Sequence, residues 1–370
     1  MPAQTQNANR VTVLVDTYNH ERFIEEALVS VLEQDFPADD TEILVVDDGS
    51  TDRTPEIVRK VAPRVRLIRK TNGGQASAFN VGIPEASGDI IAFLDGDDWW
   101  KKNKLSAVVR AFHDNPAVGM VGHAIIESHA GREHIVSSEI STPLQLDSVR
   151  SAEIFRLYRP YFGTSRLALR SIVARQTLPV PEVLVFEADE YLFTIAAALT
   201  KWVVLKEPLT HYRIHSGNLF LAAGSSAEGL RRKQRVLSAL ESALRRDLAG
   251  RGVPSGALDC VLELVGAEAL QLRLMCEGGS PSETIWAESV LFGIQRAGAS
   301  AAQKLFHKAS LLPAWLLPPR MFYRARFWLN TRSWYADFRK TVLPVPEFTD
   351  ILETNQGGES DRISMKRDDA

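Results

Sequence analysis

A short apolar run that ends in a cluster of carboxylates constrains this chain more than any other stretch. Residues 90–94 are too few for a helix and are followed at once by Asp95-Gly96-Asp97-Asp98. The run is typical of a buried central strand with acidic side chains at its carboxyl end, the edge where open α/β sheets bind ligands. Carboxylates this close repel one another unless a cation neutralises them, and a hard divalent ion such as Mg²⁺ prefers such oxygen ligands. Asp and Gly also make ordinary solvated turns, which is the structural alternative.

The chain before this run repeats a strand, a loop and a helix. Residues 11–15, 43–46 and 65–68 are apolar, β-branched runs, and each precedes polar turn residues and then apolar residues at helical spacing. Strands that alternate with helices predict a largely parallel sheet. The carboxyl ends of parallel strands share one edge, so the loops that follow them should converge. These loops are Asp16 to Asn19, Asp48, Asn72 to Gln75 and Asp95 to Asp98.

The pattern after residue 100 is less regular. It predicts a helix over 101–113, a strand over 118–126, a hairpin turn at Gly131-Arg132 and an irregular segment over 137–178 that contains a short helix at 167–176. The stretch Phe186 to Leu192 opens a predicted apolar helix that reaches about Leu199. Acidic residues at its start have an ordinary explanation, because carboxylates are stabilised at a helix N-terminus.

The second half of the chain is predicted to be helical. A linker is predicted at 222–226 and three antiparallel helices over 228–299, with breaks at 250–254 and 278–281. From Ser300 to Leu343, eight Lys and Arg residues accompany many aromatic residues and the single acid Asp337. Basic, aromatic helices too short to span a bilayer favour the membrane interface, so residues 305–343 are a predicted membrane-binding segment. The alternative is a C-terminal helix that packs its aromatic side chains on the domain.

The overall composition excludes several classes of protein. A formal net charge of −3 argues against a general nucleic-acid binder. Cys260 and Cys276 lack the spacing of a disulfide framework or a zinc site, which favours a reducing cytoplasm. Neither a signal peptide nor a spanning segment is evident. We therefore expect a cytoplasmic protein, peripheral at the inner membrane face, with disordered polar ends at 1–10 and 346–370.

Five short motifs occur in order over residues 11–218, each where a strand passes into a loop. They are Thr17-Tyr18-Asn19, Val45-Val46-Asp47-Asp48-Gly49-Ser50-Thr51-Asp52, Asn72 to Gly82, Phe93 to Trp99 and Tyr212-Arg213-Ile214-His215. In this order they resemble the family 2 glycosyltransferases of GT-A fold. The resemblance implies an α/β fold, with a Rossmann-like, mostly parallel mixed sheet flanked by helices over 11–221. An α-helical C-terminal region follows, made of a helical bundle over 228–299 and a basic aromatic segment over 300–345.

The resemblance also implies a reaction and a donor site. The enzyme would transfer a sugar with inversion from a nucleotide diphosphate sugar to a hydroxyl. A UDP-sugar is favoured, because a carboxylate at Asp48 suits the imide N–H of uracil or thymine better than the acceptor-rich edge of adenine. The basic aromatic segment favours a lipid-linked or membrane-proximal acceptor in polysaccharide or glycoconjugate assembly. The implied nucleotide-sugar ligands are Thr17, Tyr18, Asn19, Asp48, Lys70, Asn72, Gln75 and Asp95.

Metal and base are implied by the same resemblance. Asp97 is the implied ligand of Mg²⁺ or Mn²⁺, and His215 is a further metal ligand or diphosphate contact unless it is a buried structural histidine. Asp189 is the implied general base, with Glu190 and Glu187 as other candidates.

Two departures from the family pattern affect the donor loops. Asp16 replaces a small residue or proline, and Phe79 replaces a frequent arginine. The loop Gly163-Thr164-Ser165-Arg166 resembles the acceptor-side segment of such enzymes. The alternative function is a noncatalytic sugar-nucleotide-binding or scaffold protein of the same fold.

Overall fold

The computed structural model describes residues 10–61, 64–129, 132–215, 218, 227–296, 298–330 and 332. The predicted linker at 222–226 lies outside these residues. The predicted disordered ends also lie outside them, apart from Arg10, and so does the part of the basic aromatic segment beyond residue 332. The chain divides into two compact units. The first contains residues 1–222 with 239–262, and the second contains residues 223–238 with 263–370.

A mixed sheet organises the first unit. Its strands are Val11–Thr17 (β1), Thr41–Asp47 (β2), Arg66–Arg69 (β3), Ile90–Asp95 (β4), Trp99–Trp100 (β5), Val118–His129 (β6), Arg132–Val136 (β7), Ile140–Leu144 (β8), Ala168–Arg170 (β9) and Lys201–Arg213 (β10). The strand order is β3-β2-β1-β4-β9-β6-β10-β5, with β7 beside β6 and β8 beside β10. Strands β1 to β4 pair in parallel, whereas β9 is antiparallel to β4 and β6. The predicted Rossmann-like mixed sheet is confirmed.

Helices cover both faces of this sheet. They are Ile24–Leu32 (α1), Thr54–Val61 (α2), Gln75–Glu85 (α3), Lys104–Asp114 (α4), Val149–Tyr158 (α5), Ser171–Gln176 (α6) and Ala188–Leu199 (α7). Val13 and Leu14 are both fully buried, although successive strand residues point to opposite faces. Val13 packs in a cluster with Leu28 of α1 and Phe112 of α4. On the other face, a Cβ at Gly82 of α3 would lie 2.5 Å from Leu14 Cδ1, so glycine permits this close approach.

The segment 137–178 has more regular structure than the sequence predicts. Helix α5 begins with a capping box in which Ser148 Oγ accepts a hydrogen bond from the backbone N–H of Ser151 at 3.2 Å. The predicted helix at 167–176 is wrong in its first half, because residues 168–170 form β9 and only Ser171–Gln176 is helical. The partners of β9 are β4 and β6, which are distant in sequence, so a strand this short has no local signal.

The regular secondary structure of the described chain after residue 226 is helical. The helices are Ala227–Gly250 (α8), Ser255–Cys276 (α9), Pro281–Gln295 (α10), Ala301–Ser310 (α11), Leu312–Leu316 (α12) and Pro319–Asn330 (α13). The breaks between α8, α9 and α10 fall where the sequence predicts them. In the second unit, Leu274, Ala287, Leu311 and Phe322 belong to one apolar cluster. Among the described helices, none has the combination of length and apolar character that a bilayer crossing requires.

Candidate active site

The carboxyl ends of β1, β2 and β4 lie side by side. Asp16 of β1 is in register with Asp95 of β4, and Thr17 is in register with Asp47 of β2. Parallel pairing thus brings together the loops that the sequence predicts to converge, and it gives them a common edge at which a ligand can bind.

Hydrogen bonds join the loop after β1 to the loop after β2. Asn19 has a left-handed backbone with φ of 56°. Its N–H donates to Ser50 Oγ at 2.8 Å, and its Oδ1 accepts from the N–H of Thr51 at 2.8 Å. Thr17 is buried, whereas Tyr18 is 37% exposed. Asn19 therefore shapes the loop, and Tyr18 faces solvent beside it.

Asp48 organises the third loop. Its Oδ2 accepts a hydrogen bond from the N–H of Gly74 at 2.7 Å, and its Oδ1 accepts from the N–H of Gly73 at 3.0 Å and from Lys70 Nζ at 2.5 Å. Gly74 has φ of 82°, and a Cβ there would lie 2.5 Å from Val185 Cα, so only glycine fits. Asn72 is exposed at the tip of this loop.

Gln75 lies nearer to the candidate base than the sequence predicts. Its Nε2 donates to Thr164 Oγ1 at 3.0 Å, and its Oε1 accepts from the N–H of Ala188 at 3.1 Å. Both ends of the amide thus form hydrogen bonds, one with Thr164 and one with the first residue of α7. Gln75 connects the third loop of the donor edge to the helix that carries Asp189.

A carboxylate cluster follows β4. Asp95, Asp97 and Asp98 each bring an oxygen to within 4.8 Å of the others. Asp97 Oδ2 lies 3.0 Å from His215 Nε2 and 3.9 Å from His20 Nε2. His20 is a member of this group that sequence reasoning missed, and its only sequence signal is its position directly after Thr17-Tyr18-Asn19.

Asp98 lies deepest in this cluster. It is 1% exposed, and its Oδ1 accepts a hydrogen bond from the N–H of Arg213 at 2.8 Å. Its Oδ2 is buried without a hydrogen-bond partner among the described residues. A buried acceptor oxygen without a donor is costly unless a proton or a cation satisfies it.

Burial and mutual repulsion perturb the acids of this edge. Burial raises the pKa of Asp95 well above its usual range, and the charges of Asp16 and Asp97 add to the effect. Burial and the Asp97 charge raise the pKa of Asp98 to about 7 and that of Asp16 to about 8. The pKa of Asp97 itself is lowered, because the hydrogen bond with His215 and the charge of His20 outweigh its burial.

The cluster fits a divalent cation by the chemistry of its donors. Carboxylate oxygens are the ligands that Mg²⁺ and Mn²⁺ prefer, and a cation would satisfy the buried oxygen of Asp98 that has no partner among the described residues. Asp97 Oδ2 and His215 Nε2 are close enough to ligate the same ion.

Asp189 lies at the start of α7 and takes part in the same electrostatic environment. Its negative charge contributes to the raised pKa values of Asp16 and Asp95. Asp189 Oδ2 accepts hydrogen bonds from the N–H of Thr164 at 3.0 Å and from its hydroxyl at 3.2 Å, and Oδ1 accepts from the N–H of Glu190 at 2.9 Å. Donors thus hold this carboxylate in one orientation, while the residue stays partly exposed.

The two neighbouring acids have different surroundings. Glu190 is buried and forms an ion pair with Arg159, which lies immediately after α5. Glu187 precedes α7 in a left-handed conformation, with φ of 60°. Asp189 combines donors that orient its carboxylate with partial access to solvent.

The fold and this edge define the class of the protein: a glycosyltransferase of GT-A type. A sequence model described as Glycosyl transferase family 2 matches residues 12–175. An uncharacterized glycosyltransferase of Nostoc sp. is 33% identical over 224 residues, which are 59% of this chain and 68% of that protein. The chain belongs to glycosyltransferase family 2.

Solved structures show the same fold at low sequence identity. TarS of Staphylococcus aureus in complex with UDP-GlcNAc has a TM-score of 0.56 and 19% identity, over 85% of this chain and 92% of that chain. A mannosyltransferase of Pyrobaculum calidifontis in complex with GDP-Man and Mn²⁺ has a TM-score of 0.50 and 21% identity, over 95% of this chain and 88% of that chain. These proteins bind two different nucleotide sugars, so the fold by itself does not identify the donor.

Proposed function

We propose that this protein is an inverting glycosyltransferase that moves a sugar from a UDP-sugar to a hydroxyl acceptor. The observation that carries the proposal is the juxtaposition at one sheet edge of a carboxylate cluster, with one buried oxygen that has no partner among the described residues, and a partly exposed carboxylate held by donors. The first suits a cation with a diphosphate, and the second suits proton abstraction from an acceptor.

A divalent cation would be held by Asp97 and His215, with Asp95 in contact directly or through water. When bound, Mg²⁺ or Mn²⁺ supplies Lewis-acid stabilisation of the charge that develops on the departing diphosphate. The depressed pKa of Asp97 supports its role as a ligand, since it is ionised without the cation.

Asp189 acts as the general base. Inversion requires a base on the face of the sugar opposite the leaving group, and Asp189 accepts the proton of the attacking hydroxyl. The ion pair between Glu190 and Arg159 supports a structural role for Glu190, because a carboxylate used in a buried pair is a poor proton acceptor. Thr164 directs both its N–H and its hydroxyl to Asp189, which supports Asp189 as the oriented acid.

The nucleoside binds where the first three loops meet. Thr17, Tyr18 and Asn19 form one wall, and Asp48, Lys70 and Asn72 form the other. Asp48 accepts hydrogen bonds from Lys70 and from two loop amides. It therefore also sets the shape of the pocket, besides accepting a hydrogen bond from the imide N–H of uracil. UDP is the nucleotide in one TarS structure and part of the donor in another, which supports testing uridine donors first.

The test is a screen of nucleotide sugars with and without Mn²⁺, read out as release of nucleoside diphosphate and as thermal stabilisation. Stabilisation and turnover by one UDP-sugar, both dependent on Mn²⁺, are expected. A protein that binds UDP-sugars but neither hydrolyses nor transfers them would instead be a noncatalytic sugar-nucleotide-binding protein. A protein indifferent to all donors and to Mn²⁺ contradicts both functions.

The second unit supports a membrane-proximal acceptor. Helices α11 to α13 expose large apolar side chains, and Leu316 is 86% exposed and Trp315 65% exposed. The exposed members of this group are Leu305, Leu312, Trp315, Leu316, Met321, Phe327 and Trp328. Residues 300–332 contain basic side chains and no Asp or Glu. Apolar and basic side chains together suit the headgroup layer of an anionic bilayer, where the protein would be peripheral.

Vesicle co-sedimentation tests this part of the proposal. The double substitution Trp315→Ser with Leu316→Ser should weaken binding to vesicles that contain phosphatidylglycerol. A matched control is Ile172→Ser, which removes an exposed apolar side chain (67% exposed) from the first unit. Equal sedimentation of the double variant and the control would contradict the membrane contact and leave the transferase proposal intact.

A further inference from the structure

A single backbone carbonyl beneath the candidate active site accepts an unusual number of buried hydrogen bonds. The oxygen of Ser165, in the 3₁₀ turn Thr164–Arg166, accepts from Lys104 Nζ at 2.6 Å, from Thr210 Oγ1 at 2.7 Å and from Trp100 Nε1 at 3.2 Å. Lys104 and Thr210 are fully buried, and Trp100 is 3% exposed. These donors come from α4, β10 and β5, so three separate elements hold one carbonyl.

The side chains of this turn serve both sides of the site. Ser165 Oγ accepts a hydrogen bond from the N–H of Asp95 at 3.0 Å, on the cation side. Thr164 donates its N–H and its hydroxyl to Asp189, on the base side. Two adjacent residues of one turn therefore contact the candidate metal cluster and the candidate base.

The burial of Lys104 carries a large desolvation cost. Its ammonium also lies 3.7 Å from the centre of the Trp100 ring, and burial lowers its pKa well below the usual range although the charges of Asp98 and Asp95 oppose the shift. A buried lysine is disfavoured unless its interactions matter elsewhere, and an apolar side chain of similar length would pack there at lower desolvation cost.

We propose that Lys104 is a positioning residue: through the Ser165 carbonyl it fixes the turn that sets the distance between the cation side and the base. The proposal rests on the transferase function and adds a residue with no contact to the base itself. Catalysis by a positioned base requires the reacting atoms in near-attack geometry, which a loosened turn would lose. Loss of the Lys104 ammonium should therefore resemble loss of the Thr164 hydroxyl, which contacts Asp189 from the same turn.

The test compares Lys104→Met and Thr164→Val with two matched controls. Met keeps the length of the Lys side chain without its donors, and Val keeps the shape of Thr without its hydroxyl. Thr164→Ser restores the hydroxyl. Thr194→Val is the control for a buried hydroxyl, because Thr194 Oγ1 has no partner among the described residues. Lys60→Met on the exposed face of α2 is the control for lysine.

Turnover is measured as release of UDP from UDP-glucose, UDP-galactose and UDP-N-acetylglucosamine with Mn²⁺, and affinity as binding of UDP with Mn²⁺. Lys104→Met and Thr164→Val should each lower kcat by about 10²-fold, the scale of a misplacement of about 1 Å. The affinity for UDP should stay within about threefold, and the double variant should be little slower than either single one, because coupled residues are not additive. Thr164→Ser should recover most of the kcat that Thr164→Val loses, and both controls should keep wild-type kcat. A folded Lys104→Met variant with wild-type kcat, or one whose defect lies wholly in UDP affinity, would overturn the proposal.

A second readout is independent of activity and separates this proposal from the transferase function. In hydrogen exchange, the N–H of Thr164 should exchange at least about tenfold faster in Lys104→Met than in Lys60→Met, since local stability governs exchange. Unchanged exchange would overturn the anchoring even if the enzyme is active. Faster exchange in a protein with no activity on any donor would leave the anchoring intact and contradict the transferase. If Lys104→Met fails to fold, Thr210→Val removes another donor to the Ser165 carbonyl. The kcat of that variant and the exchange rate of its Thr164 N–H then test the proposal.

Discussion

The carboxylates on the two sides of the candidate active site have opposite surroundings. On the cation side, Asp95, Asp97 and Asp98 crowd together, and one oxygen of Asp98 is buried without a partner among the described residues. On the base side, Asp189 accepts hydrogen bonds from the backbone and hydroxyl of Thr164 and from a further backbone N–H. The first group contains a buried oxygen without a donor among the described residues, and the second carboxylate is supplied with donors.

This difference shows how one edge can serve two roles. A crowded cluster with raised pKa values takes up a proton or a cation, because either one relieves the repulsion. A carboxylate held by neutral donors keeps one orientation and stays ready to accept a proton from an acceptor hydroxyl. The two sides meet at the turn Thr164–Arg166, which contacts both.

The largest expected effect comes from the base side. Asp189→Asn should lower the transfer rate by about 10²- to 10⁴-fold, the usual contribution of a general base, because an amide cannot accept the proton. Binding of UDP with Mn²⁺ should be retained, as measured by calorimetry. Asp39→Asn at an exposed position is the control. Retention of more than about a tenth of the wild-type rate would show that Asp189 is not the base.

Asp97→Asn sharpens the comparison from the cation side. It should weaken Mn²⁺ binding by at least the ~10- to 100-fold that loss of even an outer-shell partner costs, because it removes a charged candidate ligand. His215→Ala should have a smaller effect of the same kind, since it removes a neutral donor atom. Titration with Mn²⁺ in the presence of UDP measures both. Unchanged Mn²⁺ affinity in Asp97→Asn would refute the assigned ligand.

Glu190→Gln separates structure from chemistry within one helix. Its side chain pairs with Arg159, so the substitution should lower the free energy of unfolding by about 1 to 3 kcal/mol, the cost of impairing a buried charged hydrogen bond. Activity per folded molecule should change little. Urea denaturation and a transfer assay provide the two values. A stable variant with the activity loss expected for Asp189→Asn would make Glu190 the base.

The stability of the metal-free protein should also depend on pH. Asp16 and Asp98 have pKa values of about 8 and about 7 in the folded protein and ordinary values of about 3.9 when unfolded. The folded state binds these protons more tightly, so the contribution of these two groups to stability is greatest below a pH of about 4 and is lost as the pH rises towards 8. Mn²⁺ should replace the protons and raise the melting temperature more at pH 8 than at pH 5, by ~2 to 4 °C for each kcal/mol of difference. Asp16→Asn should reduce the slope of stability against pH. An equal rise of melting temperature with Mn²⁺ at pH 5 and pH 8 would contradict the proposed exchange of protons for the cation.

Much of the sheet edge can be predicted from the sequence, because its signals are local. The run 90–94 and the acids after it predict a buried strand with carboxylates at its end, and β4 with its cluster has that arrangement. The start of α3 at Gln75 follows from the paired glycines before it. By contrast, β9 depends on strands distant in sequence, and its three residues carry no pattern of their own.

Local signals also cannot assign roles to adjacent acids. Asp189 and Glu190 are equivalent as residue types at a helix start. They differ because Thr164 faces one and Arg159 faces the other. Asp16 is a comparable case: the sequence marks it as a departure from the family pattern, whereas its register with Asp95 makes it a member of the carboxylate group.

The sequence by itself determined which chemical groups this protein has and the order of strands and loops that carries them, because hydrophobic periodicity and turn residues act over a few positions of chain. Only the tertiary structure decided which carboxylate forms an ion pair, which is held by hydrogen-bond donors and which has a buried oxygen without a donor among the described residues. Burial and electrostatic interactions act through space between residues that can be far apart in sequence. Lys104 illustrates the limit: in the sequence it is one more basic residue of a helix, and in the fold it lies beneath the turn that joins the two sides of the site.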